Sequence, residues 1–374
     1  MKKIGIYIHV PFCIRKCNYC DFYSVRWDSD TENKYIETML NEIEIYRSKL
    51  NNEYTADTVF FGGGTPTIIN TSNLKKLVDA LNDSIEIDKN AEITIEANPN
   101  TLTRENLAAY REMGINRLSV GIQSLNDEIL RKIGRIHNAD EALRSIDRAK
   151  DNGFENINAD VMFNIPGQTI NDVEDTIYKI IKKEVKHISF YSLKLEKGTP
   201  LYTMEKNHKI VMPEEEEERE MYYAGRSLME QHSLTQYEIS NFALKGYECR
   251  HNLKYWNQEE YIGLGPSAHS FMNNIRFSNP SDLKSDVSER IIHEKLGRDD
   301  LMFEYIMLRL RLTEGISIGE FNDKFSTDFL KIYNEQLNYL QKNNLIESDE
   351  RHVKLTKRGM DISNYVITNF NNSY

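Results

Sequence analysis

The sequence predicts an α/β fold in which parallel β/α units form an open, partial barrel. Six short apolar segments alternate with segments of helical spacing over about the first 200 residues, which is typical of parallel β/α units. Almost every predicted strand also ends in a polar or glycine-rich residue, as strands do at the ligand-binding mouth of such barrels. Six units, instead of the eight of a complete barrel, favour a partial barrel.

The predicted strands and helices of the barrel follow each other in regular order. The strands cover residues 4–9, 57–61, 92–96, 117–123, 157–163 and 187–193. The helices between them cover residues 32–50, 73–81, 104–113, 140–152 and 171–183. Glycine or proline follows several of these segments, as expected where an element ends. We expect residues 1–200 to form the barrel domain.

Residues 201–297 are less regular and are predicted to extend the barrel. Pro213 is followed by an acidic run, Glu214 to Glu218. Together they predict the start of a helix, because proline and acidic residues both favour its first turn. Residues 236–239 predict a strand that pairs with the barrel edge, and the polar residues 274–285 predict a loop.

The sequence changes character near residue 298. Residues 300–312, 318–325, 329–343 and 356–370 predict four helices, and residues 345–355 predict a β-hairpin. This order predicts a winged-helix-like C-terminal domain over residues 298–374. Nucleic-acid binding does not follow from such a fold alone, and the net charge of −11 argues against it. A packing or partner-docking role is the preferred interpretation.

The composition indicates a soluble globular protein of a reducing compartment. Apolar residues make up 40% and charged residues 28% of the 374-residue chain. Three of the four cysteines lie in one short segment, so they do not form a disulfide framework. The first apolar run is interrupted by His9 and closed by Pro11, unlike a signal peptide. No stretch has the roughly 20 apolar residues of a membrane helix, so we expect a cytoplasmic protein with only peripheral membrane contact.

Cys13, Cys17 and Cys20 form the pattern C-x-x-x-C-x-x-C directly after the first predicted strand. Neither a helix nor a strand would turn all three thiols to one side, so we expect a loop. Structural zinc sites use four protein ligands, whereas a 4Fe–4S cluster with three cysteine ligands leaves one iron free for another ligand. The spacing favours an iron–sulfur cluster over a zinc site or three unrelated buried thiols.

The predicted mouth of the barrel collects polar groups from all six strand ends. They are His9 with the cysteine loop, Gly62 to Thr65, Glu96, Gln123, Asp160, and Tyr191 with Ser192. The glycine run lacks the Lys-Ser/Thr pair of a phosphate-binding loop, but it would let the backbone approach a ligand closely. We therefore expect a ligand-binding site that faces the cysteine loop.

The cysteine pattern, followed by G-G-G-T-P at residues 62–66, resembles the radical SAM superfamily over roughly residues 1–200. The resemblance implies a 4Fe–4S cluster on Cys13, Cys17 and Cys20. It also implies that the amine and carboxylate of S-adenosylmethionine (SAM) chelate the free iron, and that one electron cleaves SAM to methionine and a 5′-deoxyadenosyl radical. The barrel would orient the cofactor and exclude water.

Further motifs resemble the family of coproporphyrinogen oxidases and their relatives: Y-I-H-V-P-F-C, G-G-G-T-P-T, S-V-G-I-Q-S, G-R-I-H and P-G-Q-T. This resemblance implies SAM contacts at Tyr7, Gly63, Gly64, Thr65, Glu96, Gln123, Arg135 and Asp160. The carboxylates would accept bonds from the amine or ribose hydroxyls, and Arg135 would pair with the SAM carboxylate. Taken alone, Glu96 and Asp160 are equally well explained as loop-capping groups, and Arg135 as a surface charge.

Two features distinguish branches within this family. The oxygen-independent coproporphyrinogen oxidases share a fourth cysteine, at the position that Phe22 occupies here. Residues 251–256 match the H-N-x-x-Y-W signature of the HemW heme chaperones, and G-L-G-P-S-A-H at residues 263–269 also resembles that branch. The resemblance implies heme binding and delivery to heme-requiring respiratory proteins, without coproporphyrinogen oxidase activity.

His251 of the H-N-x-x-Y-W signature is predicted to be the main heme ligand. Neutral imidazole ligates heme iron, and Tyr255 and Trp256 would pack on a porphyrin face. Cys249, as a thiolate, and His269 are rival ligands, and the sequence does not rank the three. A histidine beside aromatic residues is also often a hydrogen-bonded structural residue.

Two other functions stay open at this point. The first is oxygen-independent decarboxylation of coproporphyrinogen III in porphyrin biosynthesis, against which Phe22 argues. The second is a radical SAM methyltransferase acting on a heterocycle, for which the sequence has no second catalytic cysteine pair, although Cys249 keeps it open. The sequence does not indicate whether SAM is cleaved, which protein accepts the heme, or the oligomeric state.

Overall fold

A sheet of 12 strands forms the frame of the described part of the chain. The structure is a computed structural model, and it describes residues 1–50, 53–283 and 289–371. The strands of the first 200 residues are β1 (Lys2–Val10), β2 (Phe12–Cys13), β3 (Val25–Arg26), β4 (Tyr54–Gly63), β5 (Ile87–Ala97), β6 (Arg117–Gln123), β7 (Asn156–Phe163) and β8 (His187–Ser192). The helices between them are α1 (Ser29–Leu50), α2 (Thr71–Ser84), α3 (Arg104–Glu112), α4 (Asp127–Lys132), α5 (Ala139–Asp151) and α6 (Ile170–Ile181).

The centre of the sheet is parallel, in the order β1-β4-β5-β6-β7-β8. All six predicted strands and all five predicted helices of this region are present, so the prediction of β/α units is confirmed. Every residue of β6 is buried, as expected for a parallel strand whose faces are both covered. Helix α4 was not predicted, because its six residues are too few to show a helical period.

The helices begin where a side chain can accept a hydrogen bond from a free backbone N–H. Asn70, Thr103, Asn138 and Thr169 do so at the starts of α2, α3, α5 and α6. Such caps stabilise a helix by about 1 kcal/mol each. They place the strand-end loops, and hence the polar residues of the mouth, at defined positions.

Both edges of the parallel centre continue with later segments. These are α7 (Pro200–Lys206), α8 (Glu215–Gln231), β9 (Thr235–Glu238), β10 (Asn241–Ala243), α9 (Arg250–Trp256), β11 (Tyr261–Leu264), β12 (His269–Met272), β13 (Ile275–Ser278) and β14 (Ile291–Lys295). β11 pairs in parallel with β1, and β12, β13 and β14 extend that edge in antiparallel order. At the other edge, β10 pairs antiparallel with β8, and β9 with β10.

Two predictions for this region were wrong in detail. Residues 275–278 form strand β13, although the segment 274–285 was predicted to be a loop; its residues 284 and 285 lie outside the described ranges. The polar residues of β13 are accommodated because its neighbours β12 and β14 lie toward the exposed edge of the sheet. The predicted strand near residue 236 exists as β9, but β10 separates it from the barrel strand β8.

Helix α9 closes the barrel at the end opposite the cysteine loop. Lys254 forms ion pairs with Asp57, at 2.8 Å, and with Glu259, at 2.9 Å. A side chain at Gly5, near the start of β1, would meet Lys254 at 2.9 Å and His251 at 3.3 Å. Since the mouth residues lie at the other ends of these strands, α9 forms the floor of the barrel.

The C-terminal residues build a second hydrophobic cluster around Phe321, Phe329 and Tyr333. Its elements are α10 (Arg298–Arg309), β15 (Ile316–Ser317), α11 (Ile318–Phe325), α12 (Phe329–Ile332), α13 (Asn334–Lys342), β16 (Ile346–Ser348), β17 (His352–Leu355), α14 (Lys357–Asp361) and α15 (Ser363–Thr368). The predicted hairpin is present as β16 and β17. Strand β15 pairs antiparallel with β17 as the third strand of this sheet.

Two predicted C-terminal helices are each split into two. The segment 329–343 breaks at Tyr333, and the segment 356–370 breaks at Ile362. Tyr333 is buried within the cluster and leaves helical geometry, with φ −105° and ψ 19°. Packing of the buried Tyr333 ring explains the first break, which periodicity could not reveal. Ile362 is 40% exposed, so packing of its side chain does not explain the second break.

Among the helices of the described ranges, none is both long enough and apolar enough to cross a membrane.

Candidate functional site

The cysteine loop runs from the end of β1 to β3 and is fixed by contacts with distant segments. Arg15 donates to the backbone oxygen of Gly134, at 2.7 Å, and the Asn18 side chain donates to that of Lys132, at 2.9 Å. The N–H of Leu201 donates to the oxygen of Asn18, at 2.9 Å. The loop is therefore attached to both the α4 region and α7.

Cys13, Cys17 and Cys20 are free thiols, each partly buried, and all three line one cavity. Cys13 Sγ lies 3.8 Å from Thr65 Oγ1, and Arg135 Nη1 donates to Cys17 Sγ at 3.5 Å. Burial raises the pKa of the Cys20 thiol to about 11, so a nearby cation is needed to favour the thiolate.

The donor atoms of the three cysteines are those that iron–sulfur clusters use. Within residues 1–50, 53–283 and 289–371, no three metal-ligating side chains converge closely enough to hold one metal ion. A mononuclear zinc site draws its ligands around one atom, whereas cluster thiolates bind separate irons. Three free thiols that line one cavity match the ligand set of a three-cysteine iron–sulfur cluster.

The cavity beside the thiols, the mouth cavity, has a volume of about 150 Å³. It brings together the predicted residues of four further strand ends. These are Gly63, Gly64 and Thr65 after β4, Glu96 on β5, Gln123 on β6 with Arg135 beyond it, and Asp160 on β7. The predicted Tyr191, from a fifth further strand end on β8, also lines the cavity, together with Tyr19, Asn98 and Ser119.

Gly63 and Gly64 occupy positions that no side chain could share. Gly63 has φ +109°, and a Cβ there would lie 2.6 Å from the ring of His9. A Cβ on Gly64 would lie 2.6 Å from the backbone oxygen of Phe12. The glycines thus allow the β4 turn to pack directly against the cysteine loop, which brings Thr65 to Cys13.

Glu96 and Asp160 place two carboxyl groups inside the barrel. Burial, and the neighbouring Asp160, raise the pKa of Glu96 to about 8. Burial also raises the pKa of Asp160, although bonds from Asn158 and the charge of Arg117 oppose the shift. Glu96 accepts one bond from the N–H of Gly63, at 3.1 Å. Two such carboxyls are prepared to accept bonds from an amine or from hydroxyl groups.

Arg135 is buried and holds the wall of the mouth cavity together. Its guanidinium donates to the backbone oxygen of Gly121 at 2.6 Å, to the Asn98 side chain, and to Cys17. Asn98 in turn donates to Thr65 Oγ1 at 2.9 Å. Arg135 is therefore not the surface charge that the residue alone would suggest.

Sequence reasoning missed several lining residues, among them Asn98, Ser119 and Tyr19. Ser119 and Asp160 face each other from β6 and β7, 3.4 Å apart. The alternation of side chains along β6 could have placed Ser119 on the same face as Gly121 and Gln123.

Tyr7 lies behind the mouth cavity and is not among its lining residues. Its hydroxyl lies 3.1 Å from His9 Nδ1, and its ring stacks on Phe60 with centroids 6.2 Å apart. A side chain at Gly62 would meet both Tyr7 and Glu96. Tyr7 thus supports the wall from inside the barrel.

The predicted heme residues do not lie at the mouth. His251 is 1% exposed on α9, at the floor, with Nδ1 2.8 Å from Thr58 Oγ1 and Nε2 2.8 Å from the Tyr255 hydroxyl. Burial lowers the pKa of His251 to about 3. Cys249 is equally buried. His269 is exposed on β12 and stacks on His293, with centroids 5.4 Å apart.

Comparison with known proteins identifies the family. The chain matches the radical SAM superfamily over residues 7–180 and the HemN C-terminal domain over residues 296–362. The heme chaperone HemW of Bacillus subtilis is 36% identical over 373 residues, which cover 97% of this chain and 98% of that protein. That of Lactococcus lactis is 32% identical over 99% of this chain and 97% of that protein.

The chain belongs to the HemW family. Among solved structures, the coproporphyrinogen III oxidase HemN of Escherichia coli, described as a radical SAM enzyme, has a TM-score of 0.86. It covers 100% of this chain and 91% of that chain at 20% identity, and so shows the fold alone. The predicted radical SAM fold with a helical C-terminal part is confirmed. In this HemW family member, the side chain at the position of the oxidases' fourth cysteine is Phe22, 63% exposed beside the mouth cavity.

Proposed function

We propose that this protein is a heme chaperone that binds a 4Fe–4S cluster, SAM and heme, and delivers heme to respiratory hemoproteins. The observation that carries the proposal is its similarity, over nearly its whole length, to proteins named heme chaperone HemW. The proposed location of the protein is the cytoplasm. Peripheral contact with the inner face of the membrane would bring it to the respiratory proteins that accept heme. We assign no nucleic-acid partner.

Cys13, Cys17 and Cys20 would hold the cluster, and Arg135 would offset part of its negative charge through its bond to Cys17. When bound, the cluster supplies an open iron and an electron for chemistry at SAM. The loop contacts made by Arg15, Asn18 and Leu201 would keep the three thiols in place as ligands.

SAM would occupy the mouth cavity. Gly63, Gly64 and Thr65 line the cavity, and their N–H groups already donate to Glu96, Val10 and Phe12. Their carbonyl oxygens would therefore bind the amine of the SAM methionyl group. Glu96 and Asp160 would accept bonds from the amine and ribose hydroxyls, Gln123 would bind a polar group of the ligand, and Arg135 would pair with the carboxylate. We propose no direct ligand contact for Tyr7, which would act through the wall that it supports.

Heme does not fit at His251 in the arrangement described. Both ring nitrogens are engaged, and the side chain is 1% exposed. Ligation of iron by His251 therefore requires the Tyr255 hydroxyl to leave Nε2 and α9 to move from the floor. Cys249 has the same burial, whereas His269 is accessible. We keep His251 as the proposed ligand, because it belongs to the H-N-x-x-Y-W signature.

The proposal is tested by anaerobic reconstitution with iron and sulfide, followed by heme titration with and without SAM. Heme transfer to an apo-cytochrome is the expected result, and failure to bind any heme would exclude a chaperone. An anaerobic assay that formed protoporphyrinogen would instead indicate an oxidase, and S-adenosylhomocysteine among the products a methyltransferase.

The ligand is identified by comparing His251→Ala, Cys249→Ala and His269→Ala in the same titration. We expect His251→Ala to lose the heme spectrum while the other two retain it. If His251→Ala kept wild-type affinity and spectrum, the assignment would pass to whichever of the other variants lost them.

A further inference from the structure

A buried chain of hydrogen bonds starts at the mouth carboxyl Asp160. Asn158, 1% exposed on β7, donates through Nδ2 to Asp160 Oδ1 and to Ser119 Oγ, at 2.7 Å each. Its Oδ1 accepts from the N–H of Ser189, at 3.0 Å. Because acceptors face the amide nitrogen and a donor faces the oxygen, the orientation of the Asn158 amide is determined by its surroundings.

The chain continues through His187 to Tyr237. His187 Nδ1 lies 2.6 Å from Asn158 Oδ1, and Nε2 lies 2.8 Å from the Tyr237 hydroxyl. The amide oxygen cannot donate, so Nδ1 must carry the proton. Burial, and the charge of Arg117, hold the pKa of His187 well below its usual range, so the ring is neutral. Its Nε2 then accepts from Tyr237.

The chain ends at the helix that carries His251. The Tyr237 oxygen accepts a bond from the N–H of Cys249, at 3.2 Å. Cys249 directly precedes α9, as its N-cap residue. Four consecutive hydrogen bonds thus join the mouth carboxyl Asp160 to the start of the floor helix.

A second buried connection runs beside the first. Glu92 accepts bonds from the N–H groups of Arg250 and His251, at 3.2 and 3.1 Å. Arg117, 1% exposed, interacts electrostatically with both Glu92 and Asp160. Through Arg117, a change of charge at Asp160 therefore alters the electrostatic environment of Glu92, which accepts the hydrogen bonds of the first turn of α9.

The C-terminal domain holds the other side of α9 and the same tyrosine. The Arg311 guanidinium stacks over Trp256, 4.6 Å from the ring centroid, and Gln258 donates to the backbone oxygen of Leu301 at 3.0 Å. The N–H of Thr313 donates to the backbone oxygen of Tyr237, also at 3.0 Å. Tyr237 therefore touches three parts of the molecule: the barrel wall, α9 and the C-terminal domain.

We propose that Asn158, His187 and Tyr237 are positioning residues that couple the mouth to α9, so that binding of SAM changes the exposure of His251 and the affinity for heme. This rests on the proposed function above. A ligand that takes hydrogen bonds of Asp160 competes with Asn158 for the same carboxyl. The Asn158 amide, whose orientation is determined by its neighbours, then passes the change to His187 and onward to Cys249. Coupling between two binding sites is reciprocal, so heme changes the affinity for SAM by the same factor.

The test measures heme affinity of the reconstituted full-length chain with and without SAM, and SAM affinity with and without heme. For the unaltered chain we expect SAM to change heme affinity about fivefold or more. Tyr237→Phe keeps the ring but removes the hydroxyl that serves both His187 and Cys249. We expect this variant to bind both SAM and heme. The factor by which each ligand changes the affinity for the other should fall to nearly one. Tyr46→Phe, a fully buried tyrosine on α1, is the matched control and should keep the coupling.

A second measurement needs no heme. The chain has two tryptophans, Trp27 and Trp256, so a Trp27→Phe chain reports α9 through Trp256 fluorescence. Addition of SAM should change this signal, and Tyr237→Phe should abolish the change. If Tyr237→Phe fails to fold, His187→Gln, whose amide can both donate and accept, should retain part of the coupling and His187→Leu none.

The failures of the two proposals are distinguishable. An unaltered chain that binds heme with equal affinity with and without SAM would overturn the coupling and leave the chaperone function intact. Unchanged coupling in Tyr237→Phe would overturn the role of the chain of bonds. Absence of heme binding would overturn the chaperone function, and the Trp256 response to SAM would then decide the coupling alone.

Discussion

Glu96 shows how the barrel interior prepares a residue for a ligand. Its carboxyl is enclosed by the barrel walls, accepts one backbone bond from Gly63 and faces Asp160 across the mouth cavity. The charged groups that act on Glu96 are Asp160 on β7 and Arg117 on β6. The hydroxyl groups of Tyr7 and Tyr255 also interact with it electrostatically. Without a ligand, its ionised form is disfavoured, so the site holds a carboxyl that a cationic or donating partner would stabilise.

Glu96 should make stability fall as pH rises through neutrality. Its pKa of about 8 in the folded chain lies above the ordinary value of 4.5, so the folded state binds more protons between these values. Without SAM, we expect the unaltered chain to lose about 2 kcal/mol of unfolding free energy between pH 6 and pH 8 relative to Glu96→Gln. Urea unfolding at both pH values measures this difference. Equal pH dependence in the two chains would show that Glu96 is already ionised at pH 6.

Gly64 should be needed for the cysteine loop to bind iron. A Cβ at Gly64 would lie 2.6 Å from the Phe12 oxygen, next to Cys13. We expect Gly64→Ala to lose about 1–3 kcal/mol of stability and to retain several-fold less iron and sulfide after reconstitution. Gly319→Ala is the control, because a Cβ there meets nothing within 4 Å. Full iron content in Gly64→Ala would show that the loop can shift without loss of ligand geometry.

Helix α9 is a short element whose position depends on buried partners more than on its own helical propensity. Seven residues are too few to form a stable helix alone. The carboxyl of Glu92 satisfies two N–H groups of its first turn, and Lys254 is paired with Asp57 and Glu259. The H-N-x-x-Y-W signature is thus held at the floor by residues that lie far from it in sequence.

Glu92 should control the order of α9. Glu92→Ala would leave the N–H groups of Arg250 and His251 without their acceptor, at a cost of about 1–3 kcal/mol for each buried group. We expect faster amide hydrogen exchange over residues 249–256, measured by mass spectrometry, with little change in α1 to α3. Glu112→Ala, an exposed glutamate on α3, serves as control. Unchanged exchange in α9 would mean that the C-terminal domain alone holds the helix.

At the scale of the whole molecule, the sequence predicts the repeating part well and the long-range part poorly. The β/α alternation and the polar strand ends are local patterns, and they predicted the parallel sheet and most residues of the mouth cavity. The position of α9 under the barrel is set by contacts of His251 with Thr58 and of Lys254 with Asp57. No local pattern encodes such contacts, so the signature was recognised while its burial was not. The break at Tyr333, a buried residue, likewise results from packing.

The C-terminal cluster around Phe321 and the core of the barrel should unfold in separable steps. Phe321 is fully buried in the C-terminal cluster and contacts Phe325 and Phe329. We expect Phe321→Ala to remove about 3–5 kcal/mol from that domain, and calorimetry to show a lower first transition with the barrel transition nearly unchanged. Leu330→Ala, at a 37% exposed position, should shift neither transition by much. If Phe321→Ala instead shifted one cooperative transition of the whole chain, the contacts of Arg311 and Thr313 would couple the unfolding of the two domains.

The attachments of the cysteine loop have a consequence for biosynthesis. Its cysteines leave the ribosome long before the partners that fix the loop, which lie near Lys132, Gly134 and Leu201. Strand β1, from which the loop emerges, gains its second neighbour only when β11 has been made. Until then, the nascent chain carries three unshielded thiols on an incomplete sheet. On the proposed function, insertion of iron and sulfide would therefore follow the synthesis of these segments, and during translation the thiols would be open to oxidation.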